Sequence, residues 1–104
     1  TRAKGADTFC PLGPWMVTHF SIAEASHRQI VTRLDGREVQ HGNTDQMVHT
    51  IPKLISHISS FMTLLPGDVI LTGTPAGVGP MEPGQRVEVE IEGIGTLTNT
   101  VVEV

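Results

Sequence analysis

The feature that most constrains this chain is the alternation of apolar and charged residues in the segment RVEVEIE, residues 86–92. Val87, Val89 and Ile91 occupy alternate positions, and glutamates fill the positions between them. Because successive side chains of a β-strand point to opposite faces, the pattern predicts a strand with one apolar and one charged face. Gly93 follows, in a predicted reversal into a final strand.

A second hairpin is predicted in the segment QIVTRLDGREVQHG. Asp35-Gly36 stands between two runs in which apolar residues alternate with polar ones. Asp-Gly is a strong signal for a type I′ turn, because both central residues of that turn need a positive φ.

Only one segment has clear helical periodicity. Its apolar residues recur at spacings of three and four, at Ile51, Leu54, Ile55, Ile58, Phe61 and Met62. The spacing predicts one main helix near residues 51–63, with Thr50 as its N-cap and Pro52 in its first turn. The sum of these elements is a mainly β, α+β domain that occupies residues 1–104 as a single unit.

The segment DVILTGTPAGVGP, residues 68–80, joins a strand-like run to a loop rich in glycine and proline. Its first part, DVILTG, predicts a strand that is buried on both faces. The following TGTPAGVG contains no Gly-Lys-Ser/Thr and is therefore not a Walker phosphate loop. It is either a structural turn or a loop whose hydroxyl and N–H groups bind a carboxylate or carbonyl oxygen.

Charge and cysteine content exclude several classes of function. Seven basic and eleven acidic residues give a net charge of −4, which disfavours nucleic-acid and membrane partners. No apolar run reaches the roughly 20 residues of a membrane span. The one cysteine, Cys10, favours a reducing compartment, either the cytoplasm or, in a eukaryote, the mitochondrion. Its sequence context favours a buried, unreactive thiol over a nucleophile.

The remaining candidates for metal ligands are weak. The five histidines form no His-x-x-x-His pair, so surface roles are favoured over a metal site. Glu88, Glu90 and Glu92 would share one face of a strand, where a solvated outer face is favoured over a row of ligands.

Three segments, in this order, resemble the fumarylacetoacetate hydrolase family over essentially the whole chain: KGADTFCPLGPW, NTDQMVHTIPKLISHISSFMTLLPGDVILTGTPAGVGPM and VEVEIEGIGTLTNTV. The resemblance implies a mixed β-roll, of which this chain would be the C-terminal half, and assembly as a homodimer. It also implies one Mg²⁺ or Mn²⁺ ion, with Ca²⁺ as an alternative, that chelates the substrate. Such an ion polarises a carbonyl group and neutralises charge that develops on its oxygen.

The resemblance also implies roles for individual residues. Lys4 matches the active-site lysine of the family, and Thr74 matches a threonine that contacts a carboxylate or keto oxygen of the substrate. Gly73 would allow close backbone approach, and Thr8 lies where some members place a threonine near the metal. The metal ligands of the family precede the lysine loop, so none is expected in this chain. They are expected upstream of Thr1, and the isolated chain is therefore expected to be inactive.

The function implied by the resemblance is hydrolysis of a carbon–carbon bond in a small 2-oxo or diketo acid, with acylpyruvates as the first choice. The alternatives within the family are isomerisation or decarboxylation of oxaloacetate or of hydroxymuconate-type intermediates in aromatic compound catabolism. A truncated relative that catalyses nothing is a further alternative.

Overall fold

A four-stranded antiparallel sheet is the main element of the computed structural model, which describes residues 5–103. Its strands are β1 (Gln29–Leu34), β2 (Arg37–Asn43), β3 (Arg86–Ile91) and β4 (Gly95–Thr100), and their order in the sheet is β2-β1-β3-β4. The helices among the described residues are α1 (Ile22–Ala25) and α2 (Ile51–Ser59), with a 3₁₀ turn at Thr44–Gln46. The predicted α+β, mainly β class is confirmed.

The predicted hairpin at Asp35-Gly36 joins β1 to β2. Asp35 has a φ of 49° and Gly36 a φ of 78°, so both residues have the left-handed backbone of a type I′ turn. The turn is also tied to β3, because the Asp35 N–H donates to the Arg86 carbonyl at 2.9 Å and Arg86 N–H donates to Asp35 Oδ1 at 2.8 Å. These two hydrogen bonds connect the local hairpin to a strand far along the chain.

A β-bulge interrupts the hairpin. Thr32 pairs with Gln40 and Arg33 with Glu38, so Val39 is the extra residue on β2. If the regular pairing that begins at the turn continued without a bulge, Gln40 would lie opposite Val31. The bulge instead places Gln40 opposite Thr32 and thus on the other face of the sheet, since directly paired residues share a face.

The two faces of the sheet differ in chemistry, as the alternation in β3 predicts. The apolar face is formed by Ile30, Thr32, Leu34, Val87, Val89, Ile91 and Leu97, which are brought together by the register of β1, β3 and β4. The charged face is formed by Val31, Arg33, Glu88 and Glu90. On it, Arg33 Nη1 donates to Glu90 Oε2 at 2.6 Å, which raises the pKa of Arg33 and offsets the repulsion between the carboxylates.

Helix α2 begins as predicted and ends earlier than predicted. Thr50 is its N-cap residue, although the Thr50 side chain makes no capping hydrogen bond, and Pro52 lies in the first turn. The helix ends at Ser59 instead of near residue 63. The Ser59 and Ser60 hydroxyls donate to the carbonyls of Ser56 and His57, a local pairing that competes with continuation of the helix.

The predicted buried strand at residues 68–73 is wrong. This segment has no strand pairing, and Val69 and Leu71 are 58% and 73% exposed. A strand is stabilised by its ladder with neighbouring strands, and none of the four described strands pairs with this segment. Apolar composition alone therefore did not determine its structure.

Burial is low throughout the described part of the chain. Val31 is its one buried apolar residue, and Cys10 is exposed, contrary to the expectation of a buried thiol. Large apolar side chains such as Met16 and Val48 are also exposed. Neither α1 nor α2 is long and apolar enough to span a membrane.

A capping box begins α1. The Ser21 hydroxyl donates to Glu24 Oε2 at 2.7 Å, and the Ser21 N–H donates to the same oxygen at 2.8 Å. Both hydrogen bonds stabilise the ionised carboxylate and lower the pKa of Glu24 below its ordinary value of 4.5. Because the folded pKa is lowered, this stabilisation is present above pH 4.5 and is lost as the pH falls through the lowered pKa.

We expect an NMR titration to place the pKa of Glu24 below 4.5, and we expect Ser21→Ala to raise it because the side-chain hydrogen bond is lost. Ser26→Ala is the matched control, since the Ser26 hydroxyl donates to the Ile22 carbonyl and not to Glu24. An unchanged pKa of Glu24 in Ser21→Ala would contradict this assignment.

Candidate functional site

A cavity of about 340 Å³ lies where the end of β2 meets the start of α2 and the loop at residues 72–77, which we call the TGTP loop. Its apolar lining comes from Ile30, Met47, Val48, Leu54 and Pro75. Its polar side chains are Asn43, Thr44, Gln46, His49, Thr72 and Thr74. An apolar cavity with a few polar groups is typical of a binding site for a small molecule.

Several of the polar groups are engaged in local structure. Asn43 and Gln46 cap the 3₁₀ turn, where Asn43 Oδ1 accepts from Asp45 N–H at 3.1 Å and Gln46 Oε1 accepts from Asn43 N–H at 2.9 Å. The Thr44 hydroxyl donates to the Ala25 carbonyl at 2.8 Å and accepts from Arg28 N–H at 2.9 Å. The proton of Thr44 is therefore already used within the protein.

The Thr74 hydroxyl differs from the Thr44 hydroxyl in what happens to its proton. Its oxygen accepts a hydrogen bond from Gln40 Nε2 at 3.0 Å, and no group among residues 5–103 accepts its proton. Gln40 Nε2 also lies 2.9 Å from the Pro75 carbonyl oxygen and 3.4 Å from that of Ala76. The two protons of this amide thus suffice for its two nearest oxygens, those of Thr74 and Pro75, and the Ala76 oxygen lies at the edge of hydrogen-bond distance.

The backbone of the TGTP loop also lies directly against β2. Gly77 has a φ of 104°, and a Cβ added there would overlap the carbonyl oxygen of Val39. Val39 is the extra residue of the bulge, so its carbonyl is displaced from the regular ladder of β2. Only glycine fits this contact and this backbone conformation together.

The structure brings two of the four predicted site residues together. Thr74 and Gly73 both line the cavity, and a Cβ added at Gly73 would meet no other protein atom within 4 Å. Thr8 is exposed, has a φ of 69° and is not among the lining residues.

Two of the sequence predictions fall outside the residues that the structure describes. Lys4, the predicted catalytic residue, is one of them. The other is the position of the metal ligands, which were expected upstream of Thr1. Thr1 is also outside the residues that the structure describes. The placement of the ligands and the roles assigned to Lys4, Thr8, Gly73 and Thr74 therefore stay predictions.

Sequence reasoning missed the contribution of β2 and of the turn that follows it. Gln40, Asn43, Gln46 and His49 had no predicted role, although Gln40 contacts the TGTP loop and the other three line the cavity. The clustering of polar residues in QHGNTDQ was a signal, but the bulge that turns Gln40 toward the loop could not be read from it.

No complete set of metal ligands lies within the part of the chain that the structure describes. Among residues 5–103, no group of three His, Cys, Asp or Glu side chains is placed to hold a metal ion. His27 pairs with Asp45 at 3.6 Å and His41 with Glu38 at 3.2 Å, and all four of these side chains are largely exposed. These contacts agree with surface roles for both histidines.

Comparison with known proteins gives a consistent result. Residues 1–102 match the family described as fumarylacetoacetate (FAA) hydrolase, C-terminal. The chain superimposes with a TM-score of 0.92 on 5-carboxymethyl-2-hydroxymuconate delta-isomerase from Mycobacterium smegmatis, with 54% identity over 97% of this chain and 39% of that one. The high TM-score confirms the predicted fold.

Two further relatives have named activities. Human mitochondrial oxaloacetate tautomerase FAHD2A is 48% identical over 95% of this chain and 34% of its own length. Maleylpyruvate hydrolase from Sphingobium sp. SYK-6, solved with manganese(II) and pyruvate, is 40% identical over 92% of this chain and 36% of that one, with a TM-score of 0.87. The chain spans 38% and 40% of the length of two other curated relatives that it matches.

We expect Gly77→Ala to destabilise the protein by about 1–3 kcal/mol, because the new methyl group overlaps the Val39 carbonyl and strains the backbone. Gly79→Ala is the matched control, since a Cβ there meets no atom within 4 Å and its φ is not in the left-handed region. Equilibrium denaturation of the two variants measures the difference. Equal stability of the two variants would contradict the described seating of the loop.

Proposed function

This chain belongs to the fumarylacetoacetate hydrolase family, and from that premise we propose that its protein acts on small 2-oxo acids through their enol or enolate form. The proposal rests on one observation about the Thr74 hydroxyl. This group lines the cavity, and none of the residues that the structure describes accepts its proton. A hydroxyl in this state can donate to a carboxylate or keto oxygen of a bound acid.

Formation of an enolate places negative charge on the former keto oxygen. Hydrogen-bond donors and cations held near that oxygen stabilise the charge, and in a site shielded from water they do so strongly. In this chain the proposed groups are the Thr74 hydroxyl and, by resemblance to the family, the Lys4 ammonium group. Gly73 would let the ligand approach the backbone beside Thr74.

We propose a divalent ion as the cofactor of the complete enzyme, with Mn²⁺ or Mg²⁺ as the first choices. The manganese and pyruvate in the Sphingobium hydrolase support this proposal. The described part of the chain lacks a suitable set of ligands, so we assign no residue in it to the metal and derive no step through it. Homodimer formation and a cytoplasmic or mitochondrial location remain predictions from the sequence.

Isomerisation or tautomerisation is the first candidate reaction. It requires only that a proton leave one atom of the enolisable acid and arrive at another, and the two relatives named for such reactions are 54% and 48% identical to this chain. Hydrolysis of an acylpyruvate is the second candidate, supported by the hydrolase relative at 40% identity. Hydrolysis additionally requires a water molecule to attack a carbonyl carbon and an enolate to leave.

The two candidates are separated by assaying the complete protein with and without Mn²⁺. Conversion of enol-oxaloacetate to the keto form, followed by ultraviolet absorbance, reports tautomerisation. Loss of an acylpyruvate with release of pyruvate reports hydrolysis. Absence of both activities in the Mn²⁺-loaded protein would contradict the proposed function and favour a relative that catalyses nothing.

We expect Thr74→Val to lower kcat/KM for the active substrate about 10- to 100-fold, because it removes a hydrogen bond to a charged oxygen while keeping the shape of the side chain. Thr98→Val is the matched control, since Thr98 is exposed on β4 and is not among the cavity-lining residues. An unchanged kcat/KM in Thr74→Val would remove Thr74 from the site.

We expect Lys4→Ala to lower kcat by about 10²- to 10³-fold, the usual loss when one group that stabilises an oxyanion is removed. Circular dichroism should show that the variant is folded. Lys53→Ala serves as the control, because Lys53 is exposed on α2 and does not line the cavity. Turnover by Lys4→Ala at the wild-type rate would contradict the role assigned to Lys4.

A further inference from the structure

We propose that Gln40 is a positioning residue that orients the Thr74 hydroxyl as a hydrogen-bond donor toward the substrate, an inference that rests on the proposed function. Gln40 itself need not touch the substrate. Its role is to determine which way the proton of Thr74 points and where the TGTP loop lies.

Gln40 contacts the TGTP loop through one atom at the end of its side chain. Three oxygens surround this atom, those of Thr74, Pro75 and Ala76, at 3.0, 2.9 and 3.4 Å. The two carbonyl oxygens can only accept hydrogen bonds. The atom of Gln40 must therefore be the amide nitrogen, which can only donate.

The hydroxyl of Thr74 accepts a hydrogen bond from this amide. A hydroxyl has one proton and two lone pairs, and the Gln40 amide occupies a lone pair. The Thr74 proton is thus directed away from Gln40, and no group in the described part of the chain accepts it. Thr44, also in the cavity lining, differs because its proton is donated to the Ala25 carbonyl.

Gln40 and the TGTP loop differ in how their backbones are supported. The TGTP loop has no regular secondary structure, whereas Gln40 belongs to β2 and pairs with Thr32 in the sheet. The bulge at Val39 places Gln40 on the face where Pro75 approaches Gly42. A group held by a strand can position a side chain on a loop more accurately than the loop can by itself.

This arrangement determines which kind of substrate atom Thr74 can bind. Because Gln40 donates to Thr74, the Thr74 hydroxyl is left to donate in turn, and it therefore favours a carboxylate or keto oxygen of the substrate, as in a 2-oxo acid. With a carboxylate at position 40, the Thr74 proton would be donated to that carboxylate instead. The same carboxylate would repel the Pro75 and Ala76 carbonyls, so Gln40→Glu reverses the arrangement with little change in size.

The test measures the Kd for pyruvate by titration calorimetry on the complete, Mn²⁺-loaded protein. We expect Gln40→Leu and Gln40→Glu each to raise the Kd about tenfold at pH 7. We expect the double variant Gln40→Leu, Thr74→Val to bind pyruvate no more weakly than the single variant Thr74→Val, because Gln40 acts through Thr74. Gln29→Glu, an exposed residue at the start of β1, is the control for the added charge.

The pH dependence separates orientation from simple support of the loop. Relative to wild type at the same pH, Gln40→Glu should regain affinity for pyruvate as the pH falls through the pKa of the new carboxyl group, because the protonated group can donate. Gln40→Leu should not regain it. Wild-type affinity in both Gln40 variants, or independent effects of Gln40→Leu and Thr74→Val in the double variant, would overturn the inference.

Failure of the proposed function has a separate signature, namely that the wild-type protein binds no pyruvate and turns over neither substrate. In that case, NMR order parameters of the backbone N–H groups of residues 73, 74, 76 and 77 in Gln40→Leu decide the inference. Lower order parameters than in wild type support the hold of Gln40 on the loop, and unchanged order parameters overturn it.

Discussion

The pairing of β1 with a strand on each side is the interaction on which the rest of the described structure depends. β1 pairs with β2 through a tight turn and with β3 through a contact between distant parts of the chain. The one buried apolar residue of the described chain, Val31, lies in the middle of β1. Because the β1–β3 pairing closes a long segment, its energy must offset the entropy lost in closing that loop. The hydrogen bonds between Asp35 and Arg86 secure this closure at the end of the turn.

The candidate site is built on the free edge of this sheet and not on a core. Gln40 and the displaced carbonyl of Val39 both belong to the edge strand β2, and both contact the TGTP loop. An edge strand leaves polar backbone groups unpaired, which is usually a liability. Here the loop covers part of that edge, so the same contact that protects the strand also holds Thr74. The geometry of the site therefore depends on a few polar contacts more than on apolar burial.

The sequence allowed the local elements to be predicted, because each has a signal within a few residues. Asp35-Gly36 determines its own turn, and the alternation around Val89 determines which side chains share a face. The helix at Ile51 was also located, although it ends at Ser59, earlier than its apolar stripe suggested. The segment around Leu71 was predicted wrongly, since an apolar run predicts a strand only if a partner strand is available.

The site was predictable in part: resemblance to a family identified Thr74 and Gly73, which do line one cavity. The contact of Gln40 with Thr74 depends on the bulge, whose position is set by how three strands and a loop fit together and has no reliable signature in a single sequence.

The bulge has a consequence for how this part of the molecule opens. If β2 slipped into regular pairing, Gln40 would move opposite Val31, and His41 would replace Gly42 opposite Ile30. The His41 side chain would then occupy the space that Pro75 approaches at the present position of Gly42. Strand slippage and release of the loop would thus be the same event. We therefore expect the edge strand and the irregular loop beside it to open together, although only one of them has regular secondary structure.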